Sequence, residues 1–388
     1  MAILAPSPTR SISLPRRSDV SARRLDWSIL FTVAGLCAIG LIAIYAATGP
    51  TRRVGGLDPY YYTQRQALFM GGAVVVMVLA TVIDYRRLRE WALLFFAATT
   101  VLLLAVTVLA QSRNGARAWF VIGPFQLQPS ELAKVTLILV LASYVASDRG
   151  EDLPFPGFVR ALGLMAIPLL IVVAQPDLGT ASVFVAITMA VLLVAKANPR
   201  HIALVTGLAL FSAILVVATG TLESYQFARL TTFVDSNRAD NSQQTKALIL
   251  QSQKSQEAIA AGQLTGRGFM QGPLTKGGYV PEQHTDFVFS AVGEQFGLLG
   301  CAGVLALYAF LIVRVLRVAQ ISRDHLGSLL CCGVAAALLW HVFQNVGMTM
   351  GIMPITGIPL PFISYGGSST VAFFAMVGLV QNVYLRRL

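Results

Sequence analysis

Apolar residues along this chain gather in long stretches, and polar residues collect in the short segments between them. Ten such stretches can be placed, at about 27–48, 67–83, 91–110, 131–147, 159–174, 180–196, 202–220, 287–316, 328–350 and 366–385. A helix needs roughly twenty apolar residues to cross a hydrocarbon core about 30 Å thick, so each stretch predicts a membrane-spanning helix. The fold class that follows is all-α: a polytopic integral membrane protein with about ten transmembrane helices. The fifth and sixth stretches are short and separated only by Pro176-Asp177-Leu178-Gly179. They are read as tilted or partly re-entrant, which a bilayer allows where protein covers the backbone. One polar interruption is long, the loop 221–285 between spans seven and eight. A segment of that length is usually functional or disordered. Within it, 243–261 reads as a surface helix and 262–278 as a glycine-rich stretch.

Composition agrees with the pattern. Of 388 residues 55% are hydrophobic and 12% charged, with mean hydropathy +0.68, whereas soluble proteins carry roughly a quarter charged residues. Residues 1–25, rich in Ser, Pro and Arg, read as a disordered basic tail, and 26–388 as one transmembrane domain that includes the loop. The first apolar stretch is longer than a signal-peptide core of about 7–15 residues, so it is read as an uncleaved span.

A net charge of +11 could point to nucleic acid, but the placement of the charge argues against it. Arginines cluster in the tail (Arg10, Arg16, Arg17, Arg23, Arg24) and in short connections such as Arg86, Arg87 and Arg89. That is the pattern of cytoplasmic flanks facing anionic lipid, and no nucleic-acid module accompanies it. With the N-terminus inside, seventeen lysines and arginines fall on the cytoplasmic side. Only Arg52, Arg53, Arg65, Arg113 and Arg117 fall in short outer loops. Both termini are therefore expected in the cytoplasm and the long loop outside. Cys37, Cys301, Cys331 and Cys332 all lie in apolar stretches, without metal-site spacing, and are read as small buried hydrophobes.

Four irregular segments share the outer side. The first runs from Gly115-Ala116-Arg117-Ala118-Trp119 to Gln128-Pro129-Ser130-Glu131-Leu132-Ala133-Lys134. Glu131 and Lys134 are three apart and share a helix face, as a functional pair or as a plain interfacial ion pair. The second is Gln175-Pro176-Asp177-Leu178-Gly179-Thr180, where Asp177 serves catalysis or caps the next helix. The third, Pro281-Glu282-Gln283-His284-Thr285-Asp286, puts three ionisable side chains at the edge of a span. Such groups are costly to desolvate, so function is the first reading for them. The fourth, 354–370, contains Ser364-Tyr365-Gly366-Gly367-Ser368. It breaks the backbone before the last span, as an anion site or as a structural turn. Together the four offer an acid or base, cations, an aromatic and exposed amides, a set suited to a substrate with a charged head group and a lipid tail. No nucleotide-binding glycine pattern or metal-ligand spacing is present.

These motifs in this order resemble the SEDS family of bacterial cell-wall proteins (shape, elongation, division and sporulation), over 26–388. Asp26-Trp27, Ile83-Asp84-Tyr85 and 351–357 resemble the RodA-like elongation branch more than the FtsW-like division branch. The resemblance implies a peptidoglycan glycosyltransferase of the bacterial cytoplasmic (inner) membrane. Such enzymes polymerise lipid II into glycan strands at the outer face, with inversion, beside a class B penicillin-binding protein and other elongation-complex membrane proteins. It maps the family's essential aspartate onto Asp286, and further family positions onto Trp119, Glu131, Lys134 and Asp177. Asp286 is then the general base, with His284 and Glu282 behind it. Arg117 and Lys134, with Arg267 or Lys276, would neutralise the pyrophosphate. Ser364, Tyr365, Gly366, Gly367 and Ser368 would complete the substrate site. A divalent cation (Mg or Mn) is the one candidate cofactor, with no metal ligands assigned. Asp286, Trp119, Lys134 and Tyr365 are expected to line one outward cavity. Two departures touch loop geometry: two extra residues in Phe125-Gln126-Leu127-Gln128-Pro129, and Ala260-Ala261-Gly262-Gln263-Leu264 in place of a Gly-Ser-Gly-Gly run. The alternatives are a flippase for lipid-linked precursor and a non-catalytic scaffold of the elongation machinery. Glu294, deeper in the eighth span, is left without a role.

Overall fold

The computed structural model describes residues 25–110, 118–122, 125–146, 152–208 and 243–387. The basic tail, Arg113 and Arg117, most of the seventh expected span and the first part of the long loop lie outside the described residues. The helices are α1 (Trp27–Val54), α2 (Tyr61–Val82), α3 (Tyr85–Leu109), α4 (Pro129–Val145), α5 (Phe155–Ala174) and α6 (Leu178–Val194). They continue with α7 (Gln243–Gly262), α8 (Pro273–Lys276), α9 (Val288–Gln320), α10 (His325–Thr349) and α11 (Gly367–Leu385). A further helical stretch, 199–208, begins where the seventh span was expected. Seven of these helices (α1, α2, α3, α5, α9, α10 and α11) are long and apolar enough to cross a membrane. The 17-residue helices α4 and α6 occupy the fourth and sixth expected spans. The protein is a multi-pass, nearly all-helical membrane protein. The strands β1 (Phe120–Ile122) and β2 (Phe125–Leu127), paired antiparallel, were not expected from the pattern. The Phe125-Gln126-Leu127 departure from the family motif supplies β2.

Helix starts follow local chemistry. Asp26, Asp84, Asp177 and Asp324 each accept a hydrogen bond from an amide of the first turn of the helix that follows, which satisfies orphan donors and suits the helix dipole. At the end where α1 begins and α11 finishes, ion pairs join Arg314 to Asp26, Arg86 to Asp324 and Arg386 to Asp84. The 18-residue apolar windows of α10 and α11 are 67% and 78% buried, against 22% for α2 and 28% for α3. The former two form the centre, α10 packed against α4 and α6, and α11 against α2 and α4. Leu68, Val75, Leu93, Leu94 and Leu170 on α2, α3 and α5 are exposed and face the lipid.

The eighth span is not the continuous helix expected. It breaks at Gly297, whose φ of 63° and ψ of −161° leave the helical region. The freed backbone is satisfied by the segment after α7. Leu298 and Leu299 N–H donate to the Gln263 and Leu264 carbonyls (2.8 and 3.1 Å), while Arg267 and Gly268 N–H donate to the Glu294 and Gln295 carbonyls (2.9 and 3.1 Å). A Cβ at Gly297 would lie 2.4 Å from the Gly266 nitrogen, so only glycine admits this exchange. Non-helical backbone inside an apolar region is tolerated only with partners of this kind.

Candidate active site

The four polar segments converge at the end of the bundle where α4, α6, α9 and α11 begin. Tyr365 N–H donates to the His284 carbonyl (2.9 Å), joining the third segment to the fourth. Asn345 on α10 donates through Nδ2 to the Asp286 and Ile358 carbonyls, each at 2.8 Å. Gly179, at the start of α6, packs against Thr356 and Ile358 so closely that an added Cβ would stand 2.9 Å from each. Gln128 reaches Asp177 at 3.5 Å, and its own N–H donates to Ser368 Oγ (3.0 Å), which donates to the Gln126 carbonyl (2.9 Å). These contacts link the four segments to one another.

Asp286 sits at the end of a tight turn, half-buried. The Glu282 carbonyl accepts from the N–H groups of Thr285, Asp286 and Phe287 (3.3, 3.1 and 3.3 Å), and Glu282 itself takes a left-handed φ of 50°. The side chain of Glu282 is exposed and accepts from Thr285 Oγ1 at 3.1 Å. His284 packs against the Tyr62 and Tyr365 rings, with centroids 4.7 and 5.5 Å away. Burial holds its imidazole below the ordinary range, against the opposite pull of the Glu282 carboxylate. Burial also raises the Tyr365 phenol, while Arg65 pulls it down, so Tyr365 stays a neutral donor.

Three amides of the fourth segment already have acceptors within the protein. Ser364 N–H donates to the Leu360 carbonyl, Tyr365 N–H to His284, and Gly366 N–H to Gln66 Oε1 (3.1 Å). Ser364 Oγ accepts from Leu360 N–H, and Gly367 lies against the Phe69 ring. These contacts tie α2, α11 and the Asp286 turn together. Trp119 stands half-buried just ahead of β1.

Sequence reasoning passed over a cation-and-tyrosine cluster beside the turn. The Arg52 guanidinium lies 4.5 and 5.2 Å from the Tyr61 and Tyr62 ring centroids, and Arg65 lies 4.9 Å from Tyr61, donating to its hydroxyl (2.6 Å). Gln66 and Asn345, which hold the frame, were missed as well. The available signal was the run Tyr60-Tyr61-Tyr62 between arginines; these arginines had counted only toward topology.

Glu131 and Lys134 do not line an open cavity. They are 2% and 1% exposed. Lys134 Nζ donates to Glu131 Oε1 (2.7 Å) and contacts His341 Nε2 (3.0 Å), while His341 Nδ1 lies 2.8 Å from the Ala337 carbonyl. That geometry makes Nδ1 the donor and leaves Nε2 to accept from the lysine. Asp177 caps α6, accepting from Thr180 N–H and Oγ1 (2.9 and 2.7 Å). Two cavities, about 530 and 740 Å³, lie at the opposite end of the bundle, lined by residues such as Arg86 and Asp324 or Lys196 and His201. Among the described residues no three His, Cys, Asp or Glu side chains gather in metal-binding geometry. These side chains therefore form no cation cage of their own.

A family model for cell cycle proteins of the FtsW, RodA and SpoVE type matches residues 27–387. A probable peptidoglycan glycosyltransferase FtsW of Geobacter metallireducens is 33% identical over 368 residues, covering 94% of this chain and 95% of that one. Among solved structures, a chain from work on how a peptidoglycan synthase complex coordinates polymerization and crosslinking superposes with a TM-score of 0.77 at 32% identity. That match covers 94% of this chain and 98% of that one. The rod shape determining protein RodA of Thermus thermophilus superposes with a TM-score of 0.68 at 30% identity, covering 94% and 97%.

Proposed function

This chain belongs to the FtsW/RodA/SpoVE family, and from that premise we propose that it is a peptidoglycan glycosyltransferase that polymerises lipid II on the outer face of the bacterial inner membrane. The observation that supports the reading is the set of contacts that links the four separate segments, the one carrying Asp286 among them, at one end of the bundle. The orientation rests on the distribution of lysine and arginine, which puts both termini in the cytoplasm.

In this mechanism the Asp286 carboxylate takes the proton from the 4-hydroxyl of the acceptor sugar. The hydroxyl oxygen then bonds to the anomeric carbon of the donor, and the bond from that carbon to the pyrophosphate oxygen breaks. The electron pair leaves with the undecaprenyl pyrophosphate, and a single displacement inverts the anomeric centre. General base help of this kind contributes roughly 10²–10⁴-fold. Arg52 and Arg65, together with Arg117, Arg267 and Lys276, supply positive charge for the departing pyrophosphate. Arg267 and Lys276 are exposed on the loop. Trp119 and the Tyr62–Tyr365 pair, with ring centroids 5.2 Å apart, supply walls for sugar or lipid.

Service in cell elongation is the narrower proposal, resting on Asp26-Trp27, Ile83-Asp84-Tyr85 and the 351–357 stretch. The solved relative from a peptidoglycan synthase complex supports a class B penicillin-binding protein as partner, with the growing glycan strand as second substrate. A flippase would use the buried Glu131–Lys134–His341 group, but its lysine is already engaged by Glu131 and His341. Asp286→Asn in purified protein with its partner should abolish lipid II polymerisation while leaving the melting profile in place. Full retained activity would sink the assignment, and unimpaired growth of cells carrying it would favour a scaffold.

A further inference from the structure

Glu294 lies on the first part of α9, before the Gly297 break, and is fully buried. Its carboxylate accepts from Leu274 N–H (2.9 Å), Thr275 N–H (2.7 Å) and Thr275 Oγ1. These groups belong to α8 in the long loop. Gly272, just ahead of them, has no room for a side chain, because an added Cβ would lie 2.5 Å from Glu294 Cδ. The loop is thus keyed onto α9 at one carboxylate.

The network continues toward the Asp286 turn. Thr275 Oγ1 donates its proton to Glu294 and accepts from Gln283 Nε2 (3.1 Å). The second proton of the same amide goes to Ser290 Oγ (3.2 Å), which donates to the Phe287 carbonyl (2.7 Å). Thr275, Gln283 and Ser290 are 1%, 3% and 0% exposed. Gln283 lies within the turn whose Glu282 carbonyl collects the Thr285, Asp286 and Phe287 amides. Each proton on the path from Gln283 through Thr275 has one acceptor, so that path runs from the turn down to the carboxylate, while the Ser290 branch returns to the turn at Phe287. Such a chain, out of water, is stiffer than its separate bonds suggest.

We propose that Glu294 is a positioning residue: through Thr275 and Gln283 it sets the Asp286 turn against the α8 segment, which carries exposed Lys276. The proposal rests on the glycosyltransferase reading for its consequence in activity. Base and loop cation then hold one spacing, and the loop belongs to the site instead of covering it.

Thr275→Val separates this role from simple anchoring. It keeps the two backbone bonds to Glu294 and removes only the relay to Gln283. Gln283→Leu cuts the same relay from the other side, with α8 untouched. Purified full-length protein with its penicillin-binding partner would be assayed on lipid II, and backbone hydrogen exchange would be read over 281–287. Both variants should lower kcat roughly tenfold to a hundredfold, the scale of a misplaced catalytic group, with KM for lipid II unchanged. Exchange over the turn should rise while the α9 amides stay protected, and Thr275→Ser should restore both readings. Exchange and kcat within twofold of wild type in either variant would overturn the proposal. Should wild-type protein fail to polymerise lipid II, or Asp286→Asn remain active, the glycosyltransferase reading fails instead, and the exchange result alone decides the relay.

Discussion

Glu131 and Glu294 are both buried carboxylates, yet their surroundings satisfy them in different ways. Glu131 meets an ammonium, Lys134 Nζ at 2.7 Å, and uses one oxygen for it. Its second oxygen has no hydrogen-bond partner among the described residues, and neither has the neighbouring Ser130 hydroxyl. Glu294 meets neutral donors, two backbone amides and one hydroxyl, spread over both oxygens. The first arrangement concentrates its stability in a single partner. The second distributes it and, because those donors belong to a loop, converts charge satisfaction into loop placement. One carboxylate braces the core of the bundle, while the other ties the α8 segment onto α9.

The largest effect should therefore come from Lys134→Met. It leaves Glu131 without its cation and takes the donor away from His341, and an orphaned buried charge costs about 3–5 kcal/mol. Thermal unfolding in nanodiscs should show a large drop. The double change Glu131→Gln with Lys134→Met should recover most of it, since no charge is then stranded. If the double variant is as unstable as the single one, the concentrated-partner account is wrong.

Glu294→Gln should do less. A glutamine of the same shape keeps one acceptor oxygen but turns an NH2 group toward N–H donors, leaving one or two of them unpaired at about 1–3 kcal/mol. The fall in melting temperature should be smaller than for Lys134→Met, and proteolysis should show the 263–285 segment loosening before α10 or α11. Equal losses at the two sites, or loosening spread through the whole bundle, would erase the distinction between them.

How far each region was legible follows from the same physics. The spans could be read because lipid-facing and core-facing positions are both apolar, and every expected span begins within about six residues of a described helix. The Glu131–Lys134 pair could be read because three residues apart on a helix means one face, and the ion pair is there. The partner His341 could not, since it sits 207 residues further along, in an apolar stretch without pattern. The Gly297 break was invisible for a related reason. A glycine in an apolar run looks like an ordinary span position, and the backbone groups that replace its helical partners come from 263–268. Asp286 stood out by its cost at a membrane edge, but Arg52 and Arg65 counted only as outer-loop charges, and Tyr62, which packs on His284 of the same turn, was not singled out. Contacts local in sequence leave a spacing to read, whereas contacts across the fold do not.

His284 gives the smallest effect and the finest probe of the Asp286 turn. Its imidazole is packed between Tyr62 and Tyr365, and burial places it below its ordinary value of 6.5, against the pull of Glu282. A group whose folded value is depressed binds fewer protons in the folded state than in the unfolded one. Its contribution is complete above that ordinary value and declines as pH falls through it toward the lower folded value. Wild-type protein should thus lose stability between pH 7.5 and 5 relative to His284→Phe, which cannot titrate. The loss should appear first as faster hydrogen exchange at Tyr365, whose N–H donates to the His284 carbonyl, while the Lys134 region stays protected. If the two proteins change in parallel across that range, the imidazole is not held neutral by its packing, and the turn is looser than its contacts imply.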